Sequence, residues 1–274
     1  MPIIYGAIGY SILKNNKNNL IIFADMHDEL IECANYVEIS DWFEDKFKSS
    51  EILLEEVERT HTELLELWKS SKHTQKLKKL YLNNKNIKPI DIRPIMINFS
   101  WEILDSEEND YLKSIKNVLL IKYLYIINDF FCLKNDYLIK NLENYKIDKL
   151  KNTSLGLHFL KIKKKFKILV KKYKEYLFLK INVIFKKYNY ILENINNILD
   201  DIMEWYTCAK IMLSIKKSII IHTGLYHSEN IINLLIEYYD YIIFKQEGIN
   251  YLKDIDKIKD GCLCLPEKID NLFN

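Results

Sequence analysis

Glycine and proline are scarce in this chain, six and four among 274 residues. The few glycines form no P-loop, GxGxxG or G-x-S-x-G pattern, and no HExxH occurs, so those enzyme classes lack support. A charge of one sign is also lacking. Forty basic against 38 acidic residues leave +2, which points to neither a nucleic-acid nor a membrane partner. The five cysteines are Cys33, Cys132, Cys208, Cys262 and Cys264. Only the last two lie close together, and C-x-C alone is a poor zinc signature. Their odd number, with no signal-peptide pattern at the start, leads us to expect reduced thiols and a cytoplasmic setting. The best apolar run, Val118–Leu133, is interrupted by Lys122, Asn128 and Asp129. It is too short and polar to span a bilayer, so we expect no transmembrane segment and no membrane partner. No internal repeat is found.

What is present is ordinary for a globular protein: 49% hydrophobic and 28% charged residues. The length suits one large domain, or a domain with a sizeable insertion. Lysine, asparagine, isoleucine and tyrosine abound, as AT-rich coding sequence produces. Ile3–Leu13 reads as a strand, and the turn-rich Lys14–Asn19 joins it to Leu20–Asp25 as a hairpin. Tyr36–Ile39 reads as a short strand. Ser40 or Asp41 then caps a helix through Lys48, with Glu44 placed to complete a capping box. Ile52–Glu55 suits a buried parallel strand. Thr60–Leu82 carries a helical period, and Ile87–Ile92 is a strand closed before Pro94. From Asp105 to Leu213 no strand is evident. Phe166, Leu169, Tyr173, Tyr176, Ile181, Ile184 and Tyr188 recur at helical steps, as do Ile195, Ile198, Leu199, Ile202, Tyr206, Ala209 and Leu213. Ile219–Ile221 returns to strand, Ser228 caps a helix to about Glu237, and Tyr241–Phe244 is a last strand before an irregular tail. The expected fold is α/β, a mainly parallel sheet flanked by helices with a large all-helical insertion. Residues 1–104 and 215–274 would form the α/β domain, and 105–214 the helical cap.

Open α/β sheets bind ligands at the carboxyl ends of their strands. Four such ends carry polar residues here. Asp25-Met26-His27-Asp28 follows an apolar run; imidazole with carboxylates suits zinc, manganese or iron, or a water activated by histidine. Glu55 and Glu56 end the second strand, and alternation lets only one face a shared crevice; we favour Glu55. Asp91 and Arg93 read as a structural ion pair, or as Arg93 clamping an anion or a developing oxyanion. In His222-Thr223-Gly224-Leu225-Tyr226-His227, Gly224 permits a sharp turn, His222 reads as a satisfied core histidine, and His227 as a functional residue at a helix mouth. His61, His73 and His158 have no such context and read as surface or core residues.

Lys161–Lys187 holds eleven lysines against one acid, Glu175. Interleaved aromatics invite a nucleic-acid reading. Those aromatics follow the helical period, however, and almost no arginine is present to grip phosphates bidentately. A solvated helix face is the expectation, with a phosphate-binding surface as the alternative.

Phe23-Ala24-Asp25-Met26-His27-Asp28 resembles the G-E-x-H-D opening of the ChaN-type haem-binding proteins and their TraB/TIKI and erythromycin-esterase relatives. Leu54-Glu55 matches a second strand ending in Glu, and Gly224-Leu225-Tyr226-His227 a late G-x-x-H motif. Met203–Ala209 also looks like an uncharacterised family of large DNA viruses, which implies a host-cytoplasmic or virion location. Here Ala24 replaces the glycine and Asp25 the glutamate, shortening the carboxylate by one methylene. The superfamily spans metal-dependent peptide cleavage, ester hydrolysis and haem binding. The resemblance therefore implies a hydrolase-like site of Asp25, His27, Glu55 and His227, holding a divalent metal or positioning water for a small-molecule or peptide substrate, with Arg93 steadying charge. Two alternatives stand beside it: a non-enzymatic virion or host-interaction protein with a degenerate site, and haem binding through a histidine or tyrosine.

Overall fold

The computed structural model describes residues 2–26, 28–46, 49–59, 71–97, 110–132 and 153–267, with single positions at 104 and 269. His27 and residues 60–70 of the expected first long helix therefore lie outside the described residues, as does His61. The chain is α/β. It runs β1 (Ile3–Tyr5), β2 (Gly9–Lys14), β3 (Asn19–Asp25), β4 (Val37–Glu38), α1 (Ile39–Lys46), β5 (Glu51–Val57), α2 (Lys72–Asn83) and β6 (Ile87–Asp91). Next come α3 (Arg93–Met96), α4 (Asp110–Lys116), α5 (Leu120–Phe131), α6 (Ser154–Lys172), α7 (Ile181–Lys187) and α8 (Asn189–Leu213). The chain then forms β7 (Ser218–Gly224), α9 (Leu225–Tyr239), β8 (Ile242–Gly248) and β9 (Cys262–Cys264). It divides into two compact units, Met1–Asp91 with Thr207–Asn274, and Ile92–Tyr206.

The first unit is built on a six-stranded mixed sheet of order β6-β5-β7-β3-β2-β8. The four strands from β6 to β3 are parallel, while β2 and β8 pair antiparallel beyond them. β7 is buried at every position, and β3 at all but its first. Unbroken apolar runs such as Ile219–Ile221 are what a parallel strand covered on both faces requires. One face packs on α1 and α2, where Trp42, Phe43, Leu77, Leu80 and Tyr81 meet Phe23, Leu54 and Ile220. α9 contacts β3 and β7. The expected hairpin forms between β2 and β3, its turn fixed by the Asn15 side chain, which accepts from the backbone N–H of Lys17 and Asn18.

Three expectations are corrected. Ile3–Leu13 is not one strand: β1 joins a separate three-stranded sheet, β4-β1-β9, and β2 joins the large one. The break is at Gly6, at φ +114°, where a Cβ would lie 2.7 Å from Ile39 Cγ2. The last helix begins one turn earlier than expected, with Gly224 at its N-cap, and Ser228 lies inside it, donating to Leu225 O at 2.9 Å. The third concerns the thiols. Cys33 and Cys262 form a disulfide, Cα atoms 6.3 Å apart, leaving Cys132, Cys208 and Cys264 as thiols. A pair 229 positions apart leaves no spacing signal. Folding creates it, by laying β9 beside β1 and tying Gly261 N–H to Ile31 O.

In the second unit, Phe130, Phe131, Phe159, Phe166 and Trp205 stack on one another, and Trp205 Nε1 donates to Leu155 O at 2.9 Å. The helical period covers the buried Phe166, Leu169, Tyr173, Ile181 and Ile184. An isolated antiparallel bridge joins Leu119 to Lys180.

Candidate functional site

The carboxyl ends of the parallel strands bring two histidine–carboxylate pairs together. Strand alternation separates them. Asp25 shares the face of Phe23 and Ile21, beneath α2, and its Oδ1 lies 2.9 Å from His73 Nε2. Both side chains are fully buried. Ser71 Oγ lies near both ring nitrogens, 3.0 Å from His73 Nδ1 and 3.3 Å from Nε2. Carboxylate, imidazole and hydroxyl are the groups that serine hydrolases use, but here the hydroxyl is not set apart on the nitrogen opposite the carboxylate, and a nucleophile needs access. Ser71 is buried, caps α2 by accepting from Thr74 N–H, and has Thr74 Oγ1 at 2.8 Å. We read this trio as the fastening of α2 onto the end of β3.

Glu55 faces the opposite side, with Leu53 and Thr223. Its Oε2 accepts from Thr223 Oγ1 at 2.6 Å and from Gly224 N–H at 2.7 Å. Its Oε1 lies 3.7 Å from His227 Nε2, and the two side chains are 10% and 9% exposed. The sequence dictates this meeting. β5 pairs parallel with β7 up to Leu54↔His222, so the next residues of both strands emerge side by side. Gly224 then turns the chain into α9, carrying His227 back over the strand end within the first turn. Tyr226, 43% exposed, sets its ring edge-on to His227, centroids 5.2 Å apart, at the rim.

No family model matches this chain, and no curated protein or solved structure does.

Of the residues singled out in the sequence, the structure brings Glu55 and His227 together and puts Asp25 on the other face of the sheet with His73. His27 lies outside the described residues. His222 donates from Nε2 to Gly6 O at 3.0 Å, as a satisfied core histidine should. Arg93 opens α3 in the second unit, where its NH1 donates to Asp200 Oδ1 at 2.8 Å. The other arginine, Arg59, sits over the Tyr81 ring and donates to the carbonyls of Tyr81, Asn84 and Ile87. Among the described residues no group of three or more His, Cys, Asp and Glu is disposed to hold a metal ion. Asp25 lies on the other face of the sheet from Glu55 and His227, so these three do not converge on one ion.

Sequence reasoning did not single out Thr223 and Tyr226, and it read His73 as a surface or core residue, of which the structure shows core. The Ser71-x-His73 cap was hidden by distance, 48 positions from Asp25. Thr223 and Tyr226 were legible in principle, since both flank the residues already chosen.

Proposed function

We propose that the first unit carries a hydrolase-like site in which His227 is the general base and Glu55 orients it. The observation that carries this reading is the approach of His227 Nε2 to Glu55 Oε1 at the mouth of the central parallel strands. Oε2 is held by Thr223 and Gly224, and Oε1 is the oxygen that faces the ring. A carboxylate beside Nε2 favours the tautomer protonated there and stabilises the imidazolium formed when Nδ1 takes a proton from water. Separations of this kind tighten when substrate binds. The exposed Tyr226 ring offers a flat apolar edge to the acyl part of a small ester or peptide. In the same reading, 105–214 is an all-helical insertion in the α/β domain. His27 joins the site only if the untagged protein carries stoichiometric zinc, manganese or iron on elemental analysis.

A non-enzymatic reading has its own support: a carboxylate held by Thr223 and the N-cap amide of α9 is also a helix brace. Turnover of p-nitrophenyl esters and fluorogenic peptides decides between them. On the hydrolase reading, His227→Ala and Glu55→Gln lower kcat on the order of 100-fold or more, and His227→Ala leaves the melting temperature nearly unchanged. No turnover by the purified chain, with Glu55→Gln melting several degrees lower, leaves only the brace.

A further inference from the structure

The outward face of α6 combines two properties that ordinary solvated helices keep apart. Its inward face is settled: Leu155, Phe159, Ile162, Phe166 and Leu169 are buried in the second unit. At 3.6 residues per turn, Leu157, Leu160 and Ile168 fall within about 80° of one another on the opposite side. They are 59%, 49% and 59% exposed. Lys164 and Lys171 lie inside the same arc, and Lys161, Lys167 and Lys172 flank it, all exposed. Scattered exposed apolar residues need no explanation, but a stripe of them on the most basic segment of the chain does.

Charge and chemistry together select the partner. Eleven lysines against Glu175 call for a polyanion. Several are engaged within the protein: Lys163 with Phe131 O, Lys165 with Asp201, Lys180 with Asn117 Oδ1, and Lys172 over the Tyr173 ring. Single-stranded nucleic acid would need aromatic faces to stack on. Yet Phe159, Phe166 and Tyr173 point inward, and the outward stripe of α6 is aliphatic. Aliphatic side chains among lysines are what a helix lying in the headgroup layer presents, with the lysine stems reaching past the apolar stripe to lipid phosphates. We infer that this face of α6 docks on an anionic membrane leaflet. Such a helix lies on the bilayer without crossing it; among the described residues none is long and apolar enough to span.

The test is sedimentation of the full chain with phosphatidylcholine vesicles, with and without phosphatidylserine. Binding should require phosphatidylserine and fall as salt rises. Lys164→Gln and Lys171→Gln should each weaken it roughly fivefold, at about 1 kcal/mol per lysine. Leu160→Ser and Ile168→Ser should each weaken it roughly tenfold, since burial of a large aliphatic is worth about 1.5 kcal/mol or more. All four side chains are exposed, so unchanged circular dichroism and melting curves verify the fold. The inference is overturned by vesicle binding indifferent to phosphatidylserine or absent. It is equally overturned by serine variants that bind like the parent, or by an oligonucleotide that binds where vesicles do not.

Discussion

At the scale of single residues, Lys210 in α8 is the chain's clearest electrostatic liability. Burial, with help from the nearby Lys88 charge, pulls its ammonium from 10.5 to about 8, against the opposing pull of Glu51 and Glu58. Below pH 8 the lysine is charged in both folded and unfolded chains, and the folded state bears the full desolvation cost. Between about pH 8 and 10.5 the unfolded chain holds the proton and the folded one does not, so stability from this residue rises with pH. Lys210→Met should therefore unfold at higher urea than the parent at pH 7, by up to roughly 3 kcal/mol. That advantage should shrink towards pH 10.5, and a constant or reversed difference would refute the cause. Residue-level reading of the sequence did best where a side chain's direction follows from alternation. Alternation said that only one of Glu55 and Glu56 can face a shared side, and Glu55 is the one that approaches His227. The reading did worst with Asp25, whose partner His73 arrives on a helix capped by Ser71, a contact that only packing creates.

At the scale of elements, the antiparallel pairing of the edge strand β8 with β2 depends on two facing glycines. Gly9 pairs with Gly248 across β2 and β8. A Cβ on Gly9 would stand 2.0 Å from Ile249 O, a backbone atom that cannot retreat without unpairing the strands. Gly9→Ala should lower the unfolding free energy by roughly 3 kcal/mol, in the upper range for forced overpacking, measured by urea titration. An unchanged midpoint would mean the edge strand yields freely. The elements themselves were mostly legible, because continuous apolar runs and helical periods are local. The division of Ile3–Leu13 was not, since Gly6 looks like any glycine until a left-handed turn against Ile39 is required of it. Nor was the start of α9. Ser228 advertises a cap, but the register of β7 against β3 and β5 carries the strand to Gly224, and the helix starts there.

At the scale of the molecule, the sequence could indicate α/β class but not the mixed order of the sheet, which depends on β8 returning to pair with β2. Nor could it indicate the disulfide. Cys33 lies in the segment after β3, and Cys262 opens the last strand. Between them run both compact units apart from the first strands and the tail, so the covalent bond turns most of the chain into a closed loop with two short ends. A single protease cut at the exposed lysines of α6 opens that loop without releasing a piece. The nicked protein should therefore migrate as one species of about the full 32.9 kDa mass on a denaturing gel, and resolve into two only after dithiothreitol. Two bands without reductant would mean the loop is not closed. If it is closed, new termini placed anywhere along it leave the polypeptide covalently whole.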